Sequence, residues 1–327
     1  MSVRPEATVV IATRDRWPLL ARHGLRSALA QEDVALEVVV VDDGSRDGTA
    51  ARVAELGDPR VRLVRNDEPH GPSAARNRGI EVAQADWVAF LDDDDLWSPR
   101  KLRAQLDAAS TAGADWVYAA AVIADEAGAI LRAPRLLDPE AAAEMLLRGN
   151  RIWGGPSAVA VRTELLRRLG GFDESLRCFE DWDLWIRLSA TGRPAACGEV
   201  LVAHVEHPGS MLFRFDGDVL EQHERMLAKH RAVTRADRLA VLEWLAEEQM
   251  QAGRSLRASR LYLEAAVRHR SAGNALAGLG ALFGAGGLRL VARLHRLLRG
   301  RTHLDPGGAP PGLPELPWLA PSGAGPS

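Results

Sequence analysis

The sequence predicts an α/β fold, a mainly parallel sheet flanked by helices and followed by a helical extension. Short β-branched apolar runs alternate with amphipathic stretches from Thr8 to about Tyr118, and the runs are too short to be helices. Leu36–Val41 is apolar almost throughout, as a strand covered on both faces must be. Polar clusters follow two of the runs directly, at the strand ends where open α/β sheets bind ligands.

Thr8–Thr13 reads as the first strand, and one helix follows with Leu20, Gly24, Leu25, Ala28 and Leu29 on its apolar side. Leu36–Val41 and Val61–Val64 are the next strands, then a helix from Pro72 to Ala83 and a strand from Asp86 to Leu91. Ser98 and Pro99 read as cap and first position of another helix, and Asp115–Ile123 as a strand. Beyond Arg135 come a helix over Pro139–Arg148, a glycine-rich joint at Trp153–Pro156, a short strand over Ala158–Val161 and a helix from Thr163. Gly170–Asp173 is a turn, and Asp181–Ala190 is a helix carrying Trp182 and Trp185. From about Asp216 to Arg299 the pattern is helical with a break at Gly253, and the Pro- and Gly-dense stretch after Asp305 predicts disorder.

The chain has 327 residues, 46% of them hydrophobic and 26% charged, enough for a sizeable core. A formal net charge of −3 supplies no cationic field for nucleic acid, so no nucleic-acid partner is expected. Two cysteines, Cys178 and Cys197, make no disulfide framework. The first residues lack the layout of a secretory signal, which sets a cytoplasmic expectation. In Leu288–Arg299, leucines on one helical face oppose Arg289, Arg293, Arg296 and Arg299, so this stretch either contacts a membrane surface at its inner face or packs on the preceding helices.

The aspartates 92–95 repel one another, and a divalent cation such as Mg²⁺ or Mn²⁺ offsets that cost; a solvated acidic turn is the alternative. Asp42-Asp43-Gly44-Ser45 is either a plain turn or a carboxylate site for a nucleoside. Paired aspartates also suit a phosphoacceptor receiver domain, but neither lysine of the chain, Lys101 or Lys229, is suitably placed for one. His204 and His207 have an odd spacing that sends them to opposite faces of a strand, which leaves His204 as a surface residue.

Together these residues resemble glycosyltransferase family 2, inverting nucleotide-sugar transferases with the GT-A fold. Val9–Arg16 is similar to that family's opening strand and loop, Val40–Ser45 to its nucleoside-binding loop, and Gly71–Gly79 to the helix start that follows. Phe90–Pro99 looks like its DxD metal motif, and Gly170–Asp173, Glu180–Trp185 and His207–Ser210 continue the series, so that the likeness covers about Val3–Arg231. Ala12, Arg14 and Asp15 depart from the usual pattern. The resemblance implies that Thr13 and Asp43 contact the base with Asp42 nearby, that Asp93 meets the ribose, and that Asp92 and Asp94 complete the DxD spacing with Asp94 on the metal. It further implies that His207 touches metal or diphosphate, that Arg76 helps the phosphates, and that Asp181 is the general base, with Glu180 and Asp183 next in line.

The expected organisation is a GT-A domain over 1–231, a helical extension over 232–302 and a disordered tail over 303–327. The expected activity is metal-dependent, inverting transfer from a nucleoside-diphosphate sugar, UDP- or dTDP-linked, to a hydroxyl of a glycan, lipid-linked or other acceptor. A nucleotidyltransferase would share sheet and metal but needs a lysine-bearing glycine-rich loop, which is absent. A non-catalytic nucleotide-sugar-binding scaffold is the other alternative.

Overall fold

The computed structural model describes residues 4–207, 219–230, 235–251, 253–284, 286–287 and 315–319. β1 (Ala7–Thr13), β2 (Leu36–Asp43), β3 (Val61–Asn66) and β4 (Trp87–Phe90) form a parallel half-sheet in the order β3-β2-β1-β4. The valines of β2 from Val38 to Val41 are fully buried, each contributing on the order of 1.5–3 kcal/mol of burial free energy. The sheet then turns mixed. β8 (Val159–Arg162) runs antiparallel between β4 and β6 (Trp116–Asp125). The long β9 (Pro194–Glu206) pairs parallel with β6, and the two-residue β5 (Leu96–Trp97) closes that edge. β7 (Ile130–Arg132) hangs on β6.

The single helix expected after β1 is two, α1 (Trp17–Arg22) and α2 (Gly24–Leu29), broken at His23, whose ψ of −82° leaves the helical range. The break has a physical reason, because a Cβ on Gly24 would lie 3.1 Å from both the Asp93 Cα and the Asp92 carbonyl oxygen. The chain turns there so that its backbone can pass under the aspartate run. α3 (Thr49–Glu55) and α4 (Pro72–Val82) flank the parallel half, and α4 lies so close that a Cβ at Gly79 would overlap the Val10 side chain.

α5 (Lys101–Ala112) starts later than Ser98 and Pro99 predict. Those two residues form a turn in which the Ser98 carbonyl accepts from Lys101 N, and Arg100 takes the cap position. The helix expected over Pro139–Arg148 is shorter, a 3₁₀ turn running into α6 (Ala142–Leu146). α7 (Thr163–Leu169) ends at Gly170 in the left-handed conformation, as the turn requires, and α8 (Glu180–Thr191) follows.

The large core continues past the sheet into α9 (Val219–Lys229) and the first half of α10 (Arg235–Gln251), through Met226, Leu227, Val241 and Leu245. A separate small cluster of Ala246, Ala258, Tyr262, Ala277 and Ala281 joins α10 to α11 (Ser255–His269) and α12 (Ala272–Ala281). The helical region therefore breaks not only at Gly253 but also at Arg270, which adopts a φ of 52°. Leu288–Arg299 lies outside the described residues.

The disorder expected from Asp305 onward does not hold for residues 315–319. Pro317–Leu319 is a 3₁₀ turn, and Leu319 is buried against Val122 and Ala124 of β6 and Ala203 of β9. Leu316 and Trp318 supply apolar surface that the Pro and Gly content conceals.

Candidate active site

Thr13, at the end of β1, donates its hydroxyl to Asp93 Oδ2 at 2.7 Å. β1 and β4 are neighbours, so the first loop and the acidic run meet by topology alone. Each of the four aspartates has protein partners, Asp93 and Asp94 sharing Arg16. Asp92 lies 2.7 Å from the Arg76 guanidinium, and Asp93 lies 2.9 Å from Arg16. Asp94 Oδ2 contacts Arg16 and, at 3.0 Å, His207 Nε2. Asp95 accepts from the Ser157 hydroxyl and from Val205 N, and its Oδ1 lies 3.1 Å from His204 Nδ1. Much of the repulsion that four adjacent carboxylates incur is thus offset within the chain.

His204 is the clearest departure from expectation. His207 lies just past the end of β9, so strand alternation does not separate the pair, and both histidines reach the acidic run, His204 at Asp95 and His207 at Asp94. Burial works to lower the His204 pKa, but the charge and hydrogen bond of Asp95 with the charges of Asp94 and Asp92 together raise it to about 10. Burial and the Asp94 charge push Asp93 upward, whereas Asp94, despite its burial, is held well below the usual carboxylate range by His207 and Arg16.

Asp42 and Asp43 have different surroundings. Asp43 is saturated, accepting from Asn66 Nδ2 and from the backbone of His70 and Gly71, which fixes the loop before α4. Asp42 Oδ1 accepts from Ser45 N, while its buried Oδ2 has no hydrogen-bond partner. That oxygen lies 3.7 Å from the Arg65 guanidinium, so of the two Asp42 is the one with an acceptor not used in a hydrogen bond.

Arg76 joins the two halves of the site. One of its nitrogens meets Asp92 and another lies 3.0 Å from Glu180 Oε1. The Glu180-Asp181 pair opening α8 is thereby one guanidinium away from the aspartates. Asp181 Oδ2 accepts from Asn150 Nδ2 at 3.0 Å, and burial together with the Glu180 charge pushes its pKa up to about 6. Glu180 is committed to Arg76, and Asp183 is fully buried, ion-paired with Arg187 and Lys229 and hydrogen-bonded to His230, its pKa drawn down to about 2. Neither alternative carboxylate is free to take a proton. Trp182 and Trp185 are buried in the core, Trp182 donating its Nε1–H to the Leu146 carbonyl.

Sequence reasoning passed over Arg16, Asn150 and Ser157. Arg16 ends the first motif and is the only one with a signal, a cation directly after a strand-end loop; Asn150 and Ser157 stand in the least patterned stretch and act through tertiary contacts.

The family described as "Glycosyl transferase family 2" has a sequence model that matches residues 8–170. An uncharacterized Mycobacterium tuberculosis protein, MT1568, is 31% identical over 235 residues, which is 68% of this chain and 70% of that protein. The chain belongs to glycosyl transferase family 2. The succinoglycan biosynthesis protein ExoO of Rhizobium meliloti is 37% identical over 198 residues, 58% of this chain, and the match spans 57% of ExoO's own length. Among solved structures, S. aureus TarS 1-349 in complex with UDP-GlcNAc aligns with a TM-score of 0.53 at 16% identity, covering 89% of this chain and 92% of that one. The mannosyltransferase PcManGT of Pyrobaculum calidifontis, in complex with GDP-Man and Mn²⁺, aligns at 0.50 with 21% identity, covering 92% and 89%. At such identities these structures establish the GT-A fold of this family 2 chain and not its substrates.

Proposed function

We propose that this family 2 chain is a metal-dependent inverting glycosyltransferase that moves a sugar from a UDP- or dTDP-linked donor to an acceptor hydroxyl on a glycan or a lipid-linked chain in cell-surface polysaccharide synthesis. The observation that carries the reading is the Arg76 bridge from Asp92 to Glu180, which sets the next residue, Asp181, beside an acidic strand end. In this reading Thr13 and Asp42 hold the base, with Asp43 fixing their loop, Asp93 meets the ribose, and Arg76 attracts the diphosphate from its seat on Asp92. Asp181 takes the acceptor's proton as the hydroxyl attacks. With one base and no second carboxylate free to act as nucleophile, a single displacement inverts the anomeric carbon. The chemistry is proposed for residues 1–231, with 232–302 as an extension.

The residues fit a divalent cation that shares its shell with a ligand. Asp94 Oδ2 and His207 Nε2 converge to 3.0 Å, and Asp94 is held ionised. Among the described residues no group of three or more such side chains forms a complete cage, which suits Mg²⁺ or Mn²⁺ completed by phosphate oxygens and water. Asp94 and His207, with Asp92 beside them, would hold the ion, whose Lewis acidity stabilises the departing diphosphate. The PcManGT complex with GDP-Man and Mn²⁺ supports such a cation in this fold. A screen of nucleoside-diphosphate sugars for thermal stabilisation with Mn²⁺ present tests the donor, and NMR of the fresh product tests the stereochemistry. Stabilisation by one UDP- or dTDP-sugar and an inverted product are expected; no stabilisation, or a retained configuration, overturns the reading.

Among the described residues no helix is long and apolar enough to cross a membrane. We place the protein at the cytoplasmic membrane face on charge and exposure. Residues 265–304 contain seven arginines and no acidic residue in a chain whose net charge is −3. Leu256, Val267 and Leu279 of the adjoining helices and Phe283 in the turn after α12 are exposed. Binding to anionic liposomes is expected to weaken with salt and with the L279E/F283E change. Equal partitioning of that variant, or of a chain ending at residue 287, would remove the membrane assignment.

A further inference from the structure

Arg16 serves two of the four aspartates at once. Its carbonyl accepts from Leu19 N and Leu20 N, which pins the backbone at the start of α1, while its guanidinium reaches across to the acidic run. Nη1 lies 2.9 Å from Asp93 Oδ1, and Nη2 contacts Asp94 Oδ2 and lies 2.9 Å from His207 Nε2. The Arg16 side chain is 24% exposed against 3% for Asp93, 11% for Asp94 and 5% for His207, so the guanidinium is the outer layer of this cluster.

The three groups cannot all satisfy one another. His207 Nε2 is 3.0 Å from Asp94 Oδ2 and 2.9 Å from Arg16 Nη2. It must carry a proton to bond the carboxylate and a lone pair to accept from the guanidinium, and a ring nitrogen has only one of these at a time. One side of the triangle therefore sets donor against donor or acceptor against acceptor. A divalent cation bound by Nε2 requires that same lone pair, and it requires the Asp94 oxygen that Nη2 faces. We propose that Arg16 is the resident counter-cation of Asp94 and that it surrenders Asp94 and His207, while keeping Asp93, when a divalent cation takes them. This exchange rests on Asp94 and His207 being the cation's ligands. It keeps the aspartate run neutralised with or without the ion, and it weakens the binding of a free ion, which must displace a charge-assisted contact.

The test measures Mn²⁺ binding to the full chain by calorimetry, without nucleotide, in wild type and in Arg16→Gln. The variant is expected to bind Mn²⁺ about tenfold or more tightly, and the gain is expected to persist in about 0.5 M salt, which screens a merely distant charge. A second measurement needs no Arg16→Gln protein. The wild-type Arg16 guanidinium is followed by ¹⁵N NMR, its signal assigned with the charge-conserving Arg16→Lys variant, and its Nη protons are expected to exchange with water faster once Mg²⁺ is added. Unchanged or weaker Mn²⁺ binding by Arg16→Gln would show that Arg16 only supports the aspartates, and a gain that salt abolishes would reduce its effect to a through-space field. Either result, or guanidinium exchange that Mg²⁺ leaves unaltered, overturns the proposal while leaving the metal reading in place. No Mn²⁺ binding by either protein, even with UDP present, overturns the metal reading and the exchange together.

Discussion

Asp94→Ala is expected to lose Mn²⁺-dependent UDP binding by about 100-fold or more, since even residues that only support a metal's ligands cost 10–100-fold. Asp94 is the carboxylate on which Arg16 and His207 converge, and it is the one the site keeps ionised. The substitution should leave the fold intact, because Arg16 retains Asp93 at 2.9 Å and the adjoining strands are anchored by Ser157 and Val205 on Asp95. It has a second, measurable consequence at the neighbouring residue. Burial raises the Asp93 pKa and the Asp94 charge raises it further, so removing that charge should let Asp93 titrate at lower pH, as carboxyl NMR would record. A circular-dichroism melt separates misfolding from metal loss. Full transfer by the variant, or by wild type in EDTA, would show that Asp94 holds no essential ion.

The parallel half of the sheet was legible to within a residue or two because burial on both faces writes an uninterrupted β-branched run such as Val38–Val41. Local signals failed where tertiary contact decides. Nothing around His23 announces a helix break; it exists because Gly24 passes under Asp93, a partner sixty-nine residues away. Ser98 reads as a cap from composition, yet its carbonyl is used in a turn and its N–H donates to the Leu201 carbonyl. At the site the residue types could be read but not their division of labour. Asp42 and Asp43 are adjacent and alike in sequence, and only the loop after β3 reveals that Asp43 is saturated with hydrogen bonds while one oxygen of Asp42 has none and faces Arg65 at 3.7 Å. The pairing of His204 with Asp95 is hidden for a related reason, since His207 lies just past β9 and strand alternation does not hold across it. Leu316–Leu319 shows the limit of compositional reasoning, because a few apolar residues within a Pro- and Gly-dense tail suffice to dock it on the sheet.

Asp181→Asn is expected to lower turnover by about two to four decades while leaving UDP affinity nearly unchanged, because the carboxylate acts only when the acceptor's proton moves. The wild-type rate should itself fall as pH drops through about 6, where the group protonates. Stability supplies an independent check with a definite sign. Asp181 stands in the first turn of α8, where a charged carboxylate ordinarily stabilises the helix, so a purely structural aspartate would make the Asn variant less stable at neutral pH. Burial and Glu180 instead raise the folded-state pKa from 3.8 to about 6. Between those values the folded protein binds more protons than the unfolded chain, and stability is lost as pH rises through the window. The Asn variant avoids that loss. Its melting temperature should therefore exceed that of wild type at pH 7.5, and the difference should shrink towards pH 4. A group strained into a reactive protonation state at the expense of stability is what a general base requires. Near-normal turnover, or a variant that melts lower than wild type at pH 7.5, would return Asp181 to a helix-capping role, and with Glu180 tied to Arg76 and Asp183 tied to Arg187, Lys229 and His230, the proton would have no acceptor in this cleft.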